Sequence, residues 1–202
     1  MSKVQVDTID TRSGTSTMQI GSTNTSTINI GVSGDTVNIP AGVTIANAGT
    51  ATGFGGTNAP YFHVNRTSSD QTLSDATFTD AIHNNEVYDS GNCYNTSNGR
   101  FTPNVAGHYI IYANPEIYAP SNYSNFIGRL LFNGSTQLAR CSHNNSGTSD
   151  DVVQNNFVQA IQYFNGSSDY VTVNVYVDVP SNTPVLVSSD SKNYFGGYKL
   201  TT

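Results

Sequence analysis

Apolar positions follow two rhythms along the chain. In residues 16–40 three short units recur: Ser16-Thr17-Met18-Gln19-Ile20-Gly21, Ser26-Thr27-Ile28-Asn29-Ile30-Gly31 and Asp35-Thr36-Val37-Asn38-Ile39-Pro40. Each sets two apolar residues on either side of an amide and ends in Gly or Pro. In an extended strand alternate residues share a face. Met18, Ile20, Ile28, Ile30, Val37 and Ile39 therefore point one way, and Gln19, Asn29 and Asn38 the other. The closing Gly or Pro turns the chain. The pattern predicts a β-repeat stalk of strand-and-turn units whose six apolar residues form one thin axis.

That axis is too thin for one chain. Six such side chains contribute about 9–18 kcal/mol on full burial, whereas ordering some 25 backbone residues costs about 25–50 kcal/mol. The stalk needs backbone pairing with other chains. Residues 49–60, GTATGFGGTNAP, lose the periodicity, are rich in Gly and Ala, and read as a linker closed by Pro60. Residues 1–48 are then stalk and attachment region, and residues 61–202 a separate head.

From Tyr61 onward the rhythm is that of strands. Tyr61–Arg66, His108–Tyr118, Phe126–Phe132, Phe157–Phe164, Tyr170–Val179, Pro184–Ser188 and Tyr194–Leu200 are rich in aromatic and β-branched residues. Turn clusters such as Asn144-Asn145-Ser146-Gly147 and Asn165-Gly166-Ser167-Ser168 separate some of them, and no stretch carries a helical apolar period. Roughly eight to ten short strands in one head predict an all-β sandwich or jelly roll.

Composition narrows the function classes. Charged residues make up 11% of the chain, against roughly 25% in an ordinary soluble protein, and the polarity comes from Thr, Ser, Asn and Gly. With 12 Tyr and 9 Phe it is no disordered polar chain. The net charge of −6 and the scattered Lys and Arg residues argue against nucleic acid as a partner. No run approaches the ~20 apolar residues of a membrane span, so membrane insertion is not expected. The opening MSKVQVDTID has no export signal. Cys93 and Cys141 fit a disulfide or two free thiols, and the missing signal favours the thiols.

Candidate chemistry is sparse. The sequence holds no nucleophile elbow, zinc-protease motif or phosphate loop. Glu86 and Glu116 are the only glutamates, and Asp150-Asp151 reads as a solvated turn or cap and not as a hydrolase pair. His63, His83, His108 and His143 lack metal-ligand spacing, although a trimer could bring His83 or His108 together at its axis. No enzyme activity, metal or cofactor is expected. For binding, Tyr118, Asn122, Tyr123 and Asn125 combine rings with amides in one loop, a mixture suited to carbohydrate or protein surfaces. The polar, acidic stretch Ser142–Gln154 is a second candidate loop.

His83, Asp89, Tyr94, Phe101, Gly107 and Tyr109 follow one another at the spacing of the signature of C1q-type globular heads, relatives of tumour necrosis factor. His83, Ile111 and Ala113 replace aromatic residues of that signature. Phe195-Gly196-Gly197-Tyr198-Lys199-Leu200 resembles the family's closing Phe-Ser-Gly-Phe-Leu-Leu strand, with Phe195 and Gly197 at its first Phe and its Gly. The resemblance implies a ten-stranded jelly roll that forms a tight homotrimer with both termini at one end. The stalk resembles the short β repeats of bacteriophage fibres. Together the two resemblances imply a trimeric fibre or appendage on the outer surface of a virion. Its N-terminal end would join other virion proteins, and its head would face a host glycan or protein. The alternatives are a capsid or tail decoration protein without a receptor and, more remotely, a polysaccharide depolymerase.

Overall fold

The computed structural model describes residues 20–21, 23–46, 58–120, 122–145 and 152–200. The chain divides into two compact units, Met1–Ala51 and Thr52–Thr202.

In the first unit, turns fall at 23–24, 33–34 and 41–42, close to the Gly and Pro residues that punctuate the repeat. The second is closed by Asp35, whose backbone N–H donates to the Val32 carbonyl and whose carboxylate accepts from the Val32 N–H, both at 2.9 Å. Gly34 has a φ of +98°, which L side chains rarely adopt. The strands expected between these turns are not formed among the described residues. A strand's N–H and C=O groups pair sideways, and among the described residues no strand pairs with this segment. The apolar residues of the repeat face water, Ile20 at 64% and Ile30 at 68% exposure. Met18 and Gln19 lie outside the described residues, as does most of the stretch read as a linker.

The second unit is built from short strands: β1 (Tyr61–Arg66), β2 (Gln71–Thr72), β3 (Thr79–Asp80), β4 (Asn85–Asp89), β5 (Tyr94–Asn95) and β6 (Arg100–Phe101). Longer ones follow: β7 (Gly107–Asn114), β8 (Glu116–Ala119), β9 (Asn125–Phe132), β10 (Thr136–Asn144) and β11 (Val152–Asn155). The chain closes with β12 (Val158–Phe164), β13 (Val171–Asp178), β14 (Val185–Leu186) and β15 (Ser189–Lys199). The order β12-β7-β15-β1-β4 makes a five-stranded sheet, and β10-β9-β13-β6-β5, with β3 also on β13, a six-stranded one. A smaller sheet, β11-β8-β14-β2, continues from the first. Pro115 separates β7 from β8 because it has no N–H for the ladder. The Asn156 N–H donates to the Pro115 carbonyl at 3.1 Å, so the antiparallel partner breaks at the same level.

Between the sheets lies an aromatic core. The Phe62 ring stacks on Phe101 at 4.0 Å and meets Phe195 edge-on at 4.9 Å. Tyr109 and Phe164 extend the cluster. Along β13 the residues Val171, Val173, Val175 and Val177 supply the opposing aliphatic layer. Each aromatic pair adds about 0.5–1.5 kcal/mol beyond its buried area.

Several strands differ from the sequence expectation. β4 and β10 fall in stretches with few large apolar residues, where cross-strand hydrogen bonding decides the conformation. The expected Ser142–Gln154 loop is shorter, because Ser142–Asn144 belong to β10 and Val152–Gln154 to β11.

Candidate functional site

The residues that carried the family resemblance are structural. Asp89 accepts from the N–H groups of Gly91 (3.2 Å) and Tyr94 (2.7 Å) and so fixes the turn into β5. Tyr94, Phe101, Tyr109 and Phe195 are buried together. Gly197 is required by close approach: a Cβ there would stand 2.6 Å from the Ile110 carbonyl oxygen. Ile111 and Ala113, two of the departures, are also buried and keep the apolar alternation of β7.

His83, the third departure, is completely buried within the chain, so it is not free to meet copies of itself at an axis. Its Nε2 lies 3.1 Å from Asn193 Oδ1, and its backbone N–H donates to the Tyr94 hydroxyl. Burial pushes the imidazole down to about 3, outweighing the opposing pull of Asn193. It is a neutral core histidine. Among the described residues no cluster of three or more His, Cys, Asp and Glu could hold a metal. Cys93 and Cys141 are free thiols, and burial pushes the Cys93 thiol up.

The loop read as a ring-bearing surface is mostly a packing element. Tyr118 belongs to β8 and is half-buried. Tyr123 is only 3% exposed, with its ring edge-on to Phe126 at 6.2 Å. Asn122 is buried at a φ of +75° and accepts the Tyr123 N–H on Oδ1 at 2.7 Å. Asn125 opens β9 with its Oδ1 buried. Tyr123 lies ahead of β9, and the chain folds its ring back against Phe126, which ring content alone does not reveal.

The exposed rings gather elsewhere, on the outward face of the five-stranded sheet. One cross-strand row runs Tyr88, His63, Gly196, Tyr112, Gln159, and the next Tyr61, Tyr198, Ile110, Ile161. Tyr61, Tyr88, Tyr163, Tyr198 and Ile161 are exposed. A Cβ at Gly196 would stand 2.6 Å from the Tyr112 ring, so glycine lets that ring lie across β15. The Tyr112 hydroxyl lies 3.3 Å from His63 Nδ1, and desolvation among neighbouring tyrosines pushes it up to about 12. Tyr61, Tyr88, Tyr112 and Tyr198 border a 330 Å³ cavity on this face. In β15, Tyr194 and Tyr198 alternate with buried Phe195 and Gly197, a local hint of the face that strand pairing assembles.

No family model matches the sequence, and no curated protein matches it. Solved structures do match the fold. Murine APRIL superposes with a TM-score of 0.52 at 14% identity, covering 70% of this chain and 98% of its own. The Eiger TNF of S. frugiperda gives 0.51 at 18% identity, covering 70% and 93%. The globular domain of the zebrafish complement 1qA protein gives 0.50 at 17%, covering 70% and 97%. The head is an all-β jelly roll of the TNF and C1q type.

Proposed function

We propose that this chain is a non-enzymatic structural fibre protein of a bacteriophage virion, displayed as a homotrimer whose head binds a molecule on the host surface. The observation that carries self-association is the aromatic outward face of the five-stranded sheet. A contiguous field of Tyr and Ile on a rigid sheet is the kind of surface that monomeric proteins seldom leave in water. The exposed isoleucines of the N-terminal repeat support the same reading, because three copies held by their heads would pair at high local concentration. The charge-poor composition and the repeat's likeness to phage fibres support a place on the outside of a virion, joined to other virion proteins through the N-terminal end.

Native mass spectrometry of the full-length protein tests the assembly. A trimer is expected at micromolar concentration, and a stable monomer or dimer would overturn it. Ile161→Asp, at a position 61% exposed in one protomer, would place three carboxylates in the apolar contact. It is expected to raise the dissociation midpoint at least tenfold while the isolated head stays folded. Trimers that fail to bind host cells would reassign the protein as a virion decoration.

A further inference from the structure

The six-stranded sheet carries a second surface feature of quite different chemistry. With Val171, Val173, Val175 and Val177 of β13 turned inward, Thr172 and Asn174 face out. Both are nevertheless nearly buried, at 3% and 5% exposure. Arg129 is the cross-strand partner of Asn174. Its guanidinium carbon lies 3.5 Å from the centre of the Phe78 ring, and its Nε and Nη2 donate to Asn174 Oδ1 at 3.2 and 2.9 Å. The Asn174 amide in turn donates to Asp80 Oδ1. Arg100 lies 4.1 Å over the Tyr170 ring. These residues and Thr172 border a cavity of about 330 Å³.

The chain has 8 Lys and Arg against 14 Asp and Glu, yet this groove holds two arginines and one carboxylate, which already accepts from an amide. Among the described residues neither arginine is in an ion pair. Burial and the neighbouring Arg140 push the Arg129 guanidinium down, and Asp80 offsets this only in part. An anion in the groove would relieve that strain on the charge. Ring stacking holds both guanidiniums in place beforehand, so less side-chain entropy is lost on binding. The volume lies in the range of small-ligand sites, about 300–1,000 Å³.

Arginine forks match a planar carboxylate. Asp80 supplies an acceptor and Thr172 a hydroxyl for hydroxyl groups beside it. A polyphosphate suits the site less, since Asp80 and the net charge of −6 oppose multiple negative charge. We infer that the groove bordered by Arg100, Arg129 and Asp80 binds the carboxylate-bearing unit of an acidic saccharide, a uronic or a sialic acid. This deepens the host-binding reading of the head and rests on it only for where the sugar is met.

The full-length protein is titrated with D-glucuronic acid, N-acetylneuraminic acid and neutral glucose, followed by calorimetry and ligand-detected NMR. At least one acid is expected to bind ten or more times more tightly than glucose, and the stronger acid identifies the source. Arg129→Gln and Arg100→Gln should each weaken that binding tenfold or more. Arg100 is exposed on a two-residue strand, so its substitution leaves the fold intact and reads binding alone. Acids that bind no better than glucose, or an Arg100→Gln, Arg129→Gln double variant that binds as wild type does, would overturn the inference. Host-cell attachment separates the two readings. Attachment to host cells by a protein that binds neither acid sinks the groove and keeps the host-binding head. Acid binding without attachment keeps the groove and sinks the head's role in host recognition.

Discussion

Acid should destabilise the head through His83 in particular. The imidazole is fully buried and held neutral, with its proton affinity lowered to about 3, whereas an unfolded histidine titrates near 6.5. As pH falls below that value the unfolded chain takes the proton and the folded chain does not. The stability that neutral His83 allows is therefore complete above about pH 6.5. It declines as pH drops, and the loss ends only near the folded value. Between pH 7 and pH 5 it amounts to about 2 kcal/mol per chain. His63, also lowered by burial, adds in the same direction, and Glu116, raised by burial against the pull of Lys192, opposes it. His83→Phe isolates the residue because it keeps a ring beside Phe195 and removes the titration. It also deprives the buried Asn193 Oδ1 of its partner, which costs about 1–3 kcal/mol. The diagnostic is consequently the pH slope and not the absolute stability. Urea unfolding at pH 5, 6 and 7, at one fixed protomer concentration, should show the wild type losing about 2 kcal/mol more than the variant. Parallel curves for the two proteins would refute a buried, neutral His83.

Two further outcomes are expected. In the proposed trimer, Ile30→Asp should loosen residues 16–40 to proteolysis while the head stays associated, since three carboxylates around an apolar axis would be strongly opposed by desolvation; unchanged protease resistance would show that Ile30 faces elsewhere. Tyr123→Ala should cost about 3–5 kcal/mol of head stability through the cavity it leaves beside Phe126, measured by denaturant unfolding, and a loss of cell binding with stability intact would restore Tyr123 as a contact residue.

The sequence by itself determined the class of fold and part of the aromatic core. Tyr94, Phe101, Tyr109 and Phe195 stood out through the spacing of the resemblance and are buried together, and a period of two assigns faces without knowledge of the partner strand. The turns of the N-terminal repeat were legible for a similar reason, because Gly and Pro act locally. Tertiary structure decided what depends on residues distant in the chain. Phe78 and Arg129, or Arg100 and Tyr170, are neighbours only once the strands are paired. Tyr123 looked like a contact residue until Phe126 gave its ring a buried place. The tyrosine face became visible only when β1, β4, β7 and β15 lay side by side. A local pattern records which way a side chain points, but burial and charge environment are sums over strands that the chain order scatters.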